Sequence, residues 1–177
     1  MTTQLDRLDR LRASLLAEVQ AVPPSARTWR PAPGTWSALE IVEHLVLAEE
    51  EVLGDLQDPA SQPAQTRTAR HWVGFALVLG VLASPIRVRI PSPGMQPTGA
   101  WTLGPLETRW DAHHRRLRTF VEHARPHDLR RPIFAHPVAG PLSPRQALWM
   151  LEVHLRLHHR QLRRRLRVYR AALPTLS

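Results

Sequence analysis

The chain has 177 residues, 43% of them hydrophobic and 22% charged, with 17 prolines against 8 glycines, the composition of one globular domain rather than of a disordered or low-complexity segment. It contains no cysteine, and all 24 of its basic residues are arginine. Disulfides, thiolate metal sites, iron–sulfur clusters and a cysteine nucleophile are therefore excluded, as are a Schiff-base lysine and a P-loop lysine. The formal charge of +9 brings nucleic acid or an acidic membrane surface into consideration. Much of that excess, however, sits in Arg160, Arg163, Arg164, Arg165, Arg167 and Arg170, at the C-terminal end of one helical segment, where cations complement the macrodipole. No helix-turn-helix or finger spacing accompanies them, so nucleic acid is the least favoured partner.

Taken in order, the segment from Met1 to Val22 carries Asp6, Asp9 and Glu18 among its leucines. It lacks the layout of a secretory signal and reads as a first helix opened near Thr3 and ended by Pro23-Pro24. A second helix starts at about Ala38, where Ser37 and Glu40 form a capping box and Trp36 can staple onto Ile41, and ends at Asp58-Pro59. Ala69 to Ser84 reads as a further apolar helix. Its longest apolar run, Trp72 to Ala83, is interrupted by Gly74 and Gly80 and is short of the roughly 20 residues of a membrane span. The Pro-rich stretch from Pro85 to Gly99 is expected to be an ordered loop, because the alternation of Ile86 to Ile90 would make a strand without a partner. A third helix runs from Gly104-Pro105-Leu106-Glu107 to Arg125-Pro126. The last opens at Ser143-Pro144-Arg145-Gln146 and stops before Pro174. The economical architecture is all-α: a single domain over residues 1–177, built as a four-helix bundle with a long crossover connection, soluble and cytoplasmic.

Ten histidines are distributed over this frame. His123 and His127 are four apart, but Pro126 breaks the helix that would align them. His154 and His158 lie mid-helix, flanked on one side by Met150 and Leu157 and on the other by Leu151, Leu155 and Leu162, so both point inward. Burying two imidazoles in an apolar arc is costly unless each finds a partner; hydrogen bonds would serve, and a first-row divalent metal would satisfy both at once. A metal site needs at least a third ligand from another element. Both His44, at the edge of a stripe with Ile41, Leu45 and Val52, and His113, in the stripe of Leu106, Trp110, Leu117 and Phe120, meet that requirement, and periodicity leaves the choice open.

The run Gly34-Thr35-Trp36-Ser37-Ala38-Leu39-Glu40-Ile41-Val42-Glu43-His44, followed by Glu49, resembles the first signature of the DinB/YfiT-like family. His154-Leu155-Arg156-Leu157-His158-His159-Arg160-Gln161-Leu162 resembles its last, and His136-Pro137-Val138-Ala139-Gly140-Pro141-Leu142-Ser143 is similar to the loop before its final helix. The match extends from the first helix to about Tyr169. The resemblance implies a four-helix bundle that holds a divalent metal on His44, His154 and His158, with zinc or nickel the usual occupant and iron or manganese as further options. It also implies a low-molecular-weight thiol cosubstrate of the bacillithiol, mycothiol or glutathione kind, an electrophilic small molecule as the other reactant, and a homodimer. Gln161, one turn beyond His158, and Glu49 or Glu51, near His44, are the candidates to orient the ligands. His159 falls outside the ligand set, and Arg130 and Arg131 are available for a thiol's carboxylates. A metal-binding stress-response protein without catalysis is the alternative, and basic nucleic-acid binding the third.

Overall fold

Ser37 and Glu40 satisfy each other's backbone amides across the first turn of a helix. Glu40 N donates to Ser37 Oγ at 3.2 Å and Ser37 N donates to the Glu40 carboxylate at 2.8 Å. Ser143 and Gln146 repeat the reciprocal pair at 3.0 and 3.4 Å, so two of the long helices begin where local chemistry dictates. The computed structural model describes residues 2–54, 56, 63, 65–84, 92–136 and 138–172. Its helices are α1 (Thr2–Gln20), α2 (Pro24–Thr28), α3 (Ala38–Leu53), α4 (Ala69–Ala83), α5 (Leu103–His123) and α6 (Pro144–Ala172). Single 3-10 turns occur at Pro93–Met95 and Asp128–Arg130. Among the described residues no strand forms, and Phe134 and Leu142 meet only in an isolated bridge.

Three boundaries differ from the expectation. Pro24 begins the short α2 soon after α1 stops at Gln20, because a proline that cannot continue one helix is pre-set for the first turn of the next. α3 ends at Leu53, where Gly54 takes φ +56° and returns its N–H to Glu50 O at 2.8 Å, a glycine stop that acts ahead of Asp58. Thr102, not Gly104, is the residue before α5, and it makes no side-chain cap. Asp58-Pro59, the Ile86 to Ile90 alternation and Pro174 lie outside the described residues.

The helices pack through their leucine stripes. α1 lies against α5 and α6, α3 against the same two, and α4 against α6. Leu8 and Leu15 of α1, Leu45 of α3, Trp110 of α5, and Leu155 and Leu162 of α6 are completely buried, each contributing about 1.5–3 kcal/mol of apolar transfer. Polar ties fix the azimuth of the helices. Arg12 pairs with Asp111 and Arg118 with Asp9 between α1 and α5. Glu18 of α1 accepts from His159 Nε2 at 3.0 Å and from Arg163 Nε at 2.7 Å on α6, so His159 is an interhelical residue and Arg163 is neutralised.

α4 sits differently. Phe75 is its buried side chain, edge-on to Trp149 of α6 at 5.7 Å between ring centroids. Gly74 lies so close to the Val138 carbonyl, and Gly140 so close to the His71 ring, that a Cβ at either position would fall inside contact distance. Those two glycines let α4 sit directly on the loop that precedes α6.

Candidate metal centre

α3 carries His44 two turns past its capping box, and α6 carries His154 and His158 one turn apart. Their rings meet in the interior: the centroids are 5.1 Å apart for His44 and His154, 4.7 Å for His44 and His158, and 4.5 Å for His154 and His158. One ring nitrogen from each can be chosen so that all three lie within 4.8 Å of one another. His44 and His158 are buried and His154 is partly so.

The tautomer of His44 follows from its neighbour. Its Nδ1 is 2.8 Å from the carbonyl oxygen of Met95, which can only accept, so Nδ1 carries the proton and Nε2 presents a lone pair. That Nε2 is 3.2 Å from His154 Nε2, close to the ~3.3–3.4 Å edge of a tetrahedral site with metal–nitrogen bonds of about 2.0–2.1 Å. Buried His158 Nδ1 has no hydrogen-bond partner, an expense that native interiors rarely leave standing. All three imidazoles are held neutral. Burial lowers the pKa of His44 against the opposing Met95 carbonyl. Burial and then the repulsion of His158, His44 and His136 push His154 well below the usual range. Burial followed by His44 takes His158 down to about 3, although the Gln161 side chain favours its protonated form. Neutral imidazoles are the state in which a metal is bound, and the set of donors suits a first-row divalent ion.

The Met95 carbonyl reaches His44 because α3 also holds the loop that carries it. Buried Glu43 accepts from Thr98 N at 2.8 Å, Thr98 Oγ1 at 2.7 Å and Gly99 N at 2.9 Å. Arg30 forks onto Glu40 at 2.8 and 2.6 Å at the start of the same helix. Trp36, expected only as a hydrophobic staple, tilts over His44 at 4.7 Å and stacks on His158 at 6.1 Å, walling the cluster. His136 stands near enough for its charge to act on His154. Its Nδ1 accepts from Val138 N at 3.1 Å and Ala139 N at 2.9 Å, which puts its proton on Nε2. Neither Met95 nor Glu43 carried a role in the sequence reasoning: a backbone acceptor leaves no mark in the side-chain pattern, and Glu43 appeared only as part of a longer run.

Two expected assignments are corrected. Glu49 does not orient His44. It faces the other side of α3, where its Oε2 accepts from Trp110 Nε1 and His114 Nε2, both at 2.9 Å, because a five-residue step turns a helix away from His44 by about 140°. Glu51 is exposed and acts on His136. His113, the rival third ligand, is buried within the field of Glu49 and is not among the three converging histidines. Gln161 is exposed beside His158, and Arg131 donates to Asp128 at 3.3 Å.

Glu49 belongs to a second buried group. His114 bridges it to Asp9, with Nδ1 at 2.5 Å from the Asp9 carboxylate. Burial opposes a charge on His114, but the Glu49 charge and the hydrogen bonds to Asp9 and Glu49 outweigh it and raise its pKa to about 9. The same contacts hold Glu49 and Asp9 below the ordinary carboxylate range despite burial.

Compared with known proteins, the chain matches the family model of the DinB superfamily over residues 7–162. No curated protein and no solved structure matches it.

Proposed function

We propose that this chain, which belongs to the DinB superfamily, binds a divalent metal at His44, His154 and His158 and uses it to transfer a low-molecular-weight thiol to a small electrophile. In this reading α1, α3, α5 and α6 form a four-helix bundle, and α4 belongs to the long connection between α3 and α5. The observation that carries the proposal is the convergence of three neutral imidazole donors within 4.8 Å in a chain without a single cysteine. Zinc or nickel fits an all-imidazole set, and iron or manganese would also be accepted.

When bound, the ion supplies Lewis acidity that keeps a thiol sulfur deprotonated near neutral pH. The chain's own residues do the rest. Three uncharged ligands leave the ion's positive charge uncompensated, which favours an anionic sulfur over water. The Met95 carbonyl holds the His44 proton on Nδ1 and so keeps Nε2 free to coordinate. Trp36 covers one side of the rings and excludes water from them. The thiol proton leaves to solvent, the sulfur forms a bond to the electrophilic carbon, and the leaving group departs from that carbon.

Elemental analysis of untagged protein, combined with His44→Ala, His154→Ala and His158→Ala, tests the site first. Wild type should carry close to one transition-metal ion per chain and each variant much less. Thiol-dependent consumption of monochlorobimane, which releases chloride, should require the metal and vanish in His158→Ala. Metal uptake without turnover across bacillithiol, mycothiol and glutathione would instead assign a non-catalytic metal-binding protein.

A further inference from the structure

We infer that the outer face of α4 docks this protein onto an anionic lipid surface, independently of the histidine cluster. From Trp72 to Ala83, α4 is apolar around its circumference, a pattern that belongs to helices covered on all sides, yet only its Phe75 side is covered. Trp72, Val73 and Leu77 are 56, 70 and 60% exposed, and with Ala76 and Gly80 they occupy one arc of about 140° at helical spacing. Beside α4, Trp149, packed on Phe75, and Val138, whose carbonyl meets Gly74, are themselves 49 and 45% exposed. Large apolar side chains exposed together on one helix face mark an interaction surface.

Charge decides the partner. From Pro59 to Leu106 the chain has four arginines and no aspartate or glutamate. The Arg67 guanidinium lies 4.0 Å from the centre of the Trp72 ring, with Nε and Nη1 buried and unpartnered, and Arg70 is exposed beside it at the first turn of α4. A second copy seated on this face would bring these like charges together. Lipid phosphates would neutralise the exposed Arg70, with Arg67 adding its field from behind the Trp72 ring, while the indole occupies the headgroup level and the aliphatic side chains enter the acyl boundary. α4 is too short to cross a bilayer, and no helix among the described residues is long and apolar enough to do so, so the binding is parallel to the surface.

Flotation of the full chain with phosphatidylcholine vesicles, with and without phosphatidylglycerol, tests the inference. Wild type should float with the anionic vesicles and be released by salt. Trp72→Ser with Leu77→Ser should reduce binding by about a hundredfold. Arg67→Gln with Arg70→Gln should abolish the preference for phosphatidylglycerol, by about fivefold per charge. His154→Ala should float like wild type, which separates this surface from the metal reading. Circular dichroism should show every variant folded, and thermal unfolding should drop only modestly where the Arg67–Trp72 stacking is lost. Equal flotation of wild type and the Trp72/Leu77 variant would overturn the inference. So would failure of wild type to float combined with self-association, seen by sedimentation, that the same variant abolishes; that result would assign the face to a second copy.

Discussion

Replacing His158 with leucine should have opposite effects on the metal-free and metal-loaded protein. In the metal-free chain His158 leaves a buried Nδ1 without a partner, a penalty of about 1–3 kcal/mol. Leucine removes that penalty at similar volume and adds apolar burial, while losing the stacked contact with Trp36, worth about 0.5–1.5 kcal/mol. The net is a gain of about 1 kcal/mol, or about 2–4 °C in Tm for a chain of this size. Metal at about a hundredfold excess over its Kd stabilises wild type by about 2.7 kcal/mol, a shift of roughly 5–11 °C on the same scale, and it should leave His158→Leu unmoved. The assay is thermal unfolding in chelator and then across a zinc or nickel titration. A variant that melts below wild type in chelator yet still rises with metal would refute both the orphaned-nitrogen argument and the ligand assignment.

Three other outcomes follow from the same geometry. Because the His114 pKa is raised to about 9, its contribution is complete below its unfolded value near 6.5 and disappears as pH rises through 9; it is on the order of 3 kcal/mol. His114→Gln should therefore flatten the alkaline loss of stability in urea titrations between pH 6 and 9.5, and an unchanged slope would reject the buried ion pair. Asp9 and Glu49, held low, act in the other direction and lose their contribution only as pH falls below about 4. Glu43→Gln, which loosens the loop carrying Met95, should weaken metal affinity about 10–100-fold with the metal-bound stoichiometry unchanged at saturation, as read by competition with a chromophoric chelator. Gly74→Ala should cost about 1–3 kcal/mol by forcing α4 off the Val138 carbonyl, visible as increased hydrogen exchange in residues 69–83 before the other helices exchange.

What could be read in advance divides by range of interaction. The starts of α3 and α6 were legible because Ser37 with Glu40, and Ser143 with Gln146, complete their chemistry within three residues. His154 and His158 were placed on one face because one helix relates them. The choice between His44 and His113 was not decidable from periodicity, since both lie in apolar stripes and only the rotation of α3 and α5 against their neighbours separates them. The structure turns His44 toward His154 of α6 and leaves His113 buried outside that cluster. Glu49 stands apart for the same reason: proximity in sequence to His44 conceals a rotation of about 140° about the helix axis. The end of α3 was overrun because Asp58-Pro59 is the louder stop, although Gly54 supplies an earlier one.

The acceptor that sets the His44 tautomer is a main-chain oxygen, and this shapes how the protein tolerates change. No point substitution at position 95 deletes it, and a replacement need only match the apolar fit of the Met95 side chain, which is 6% exposed. Chain length matters instead: removing or adding one residue between 92 and 98 would carry the oxygen several ångströms along the backbone. Drift in side-chain identity there should be common among relatives, and insertions or deletions rare.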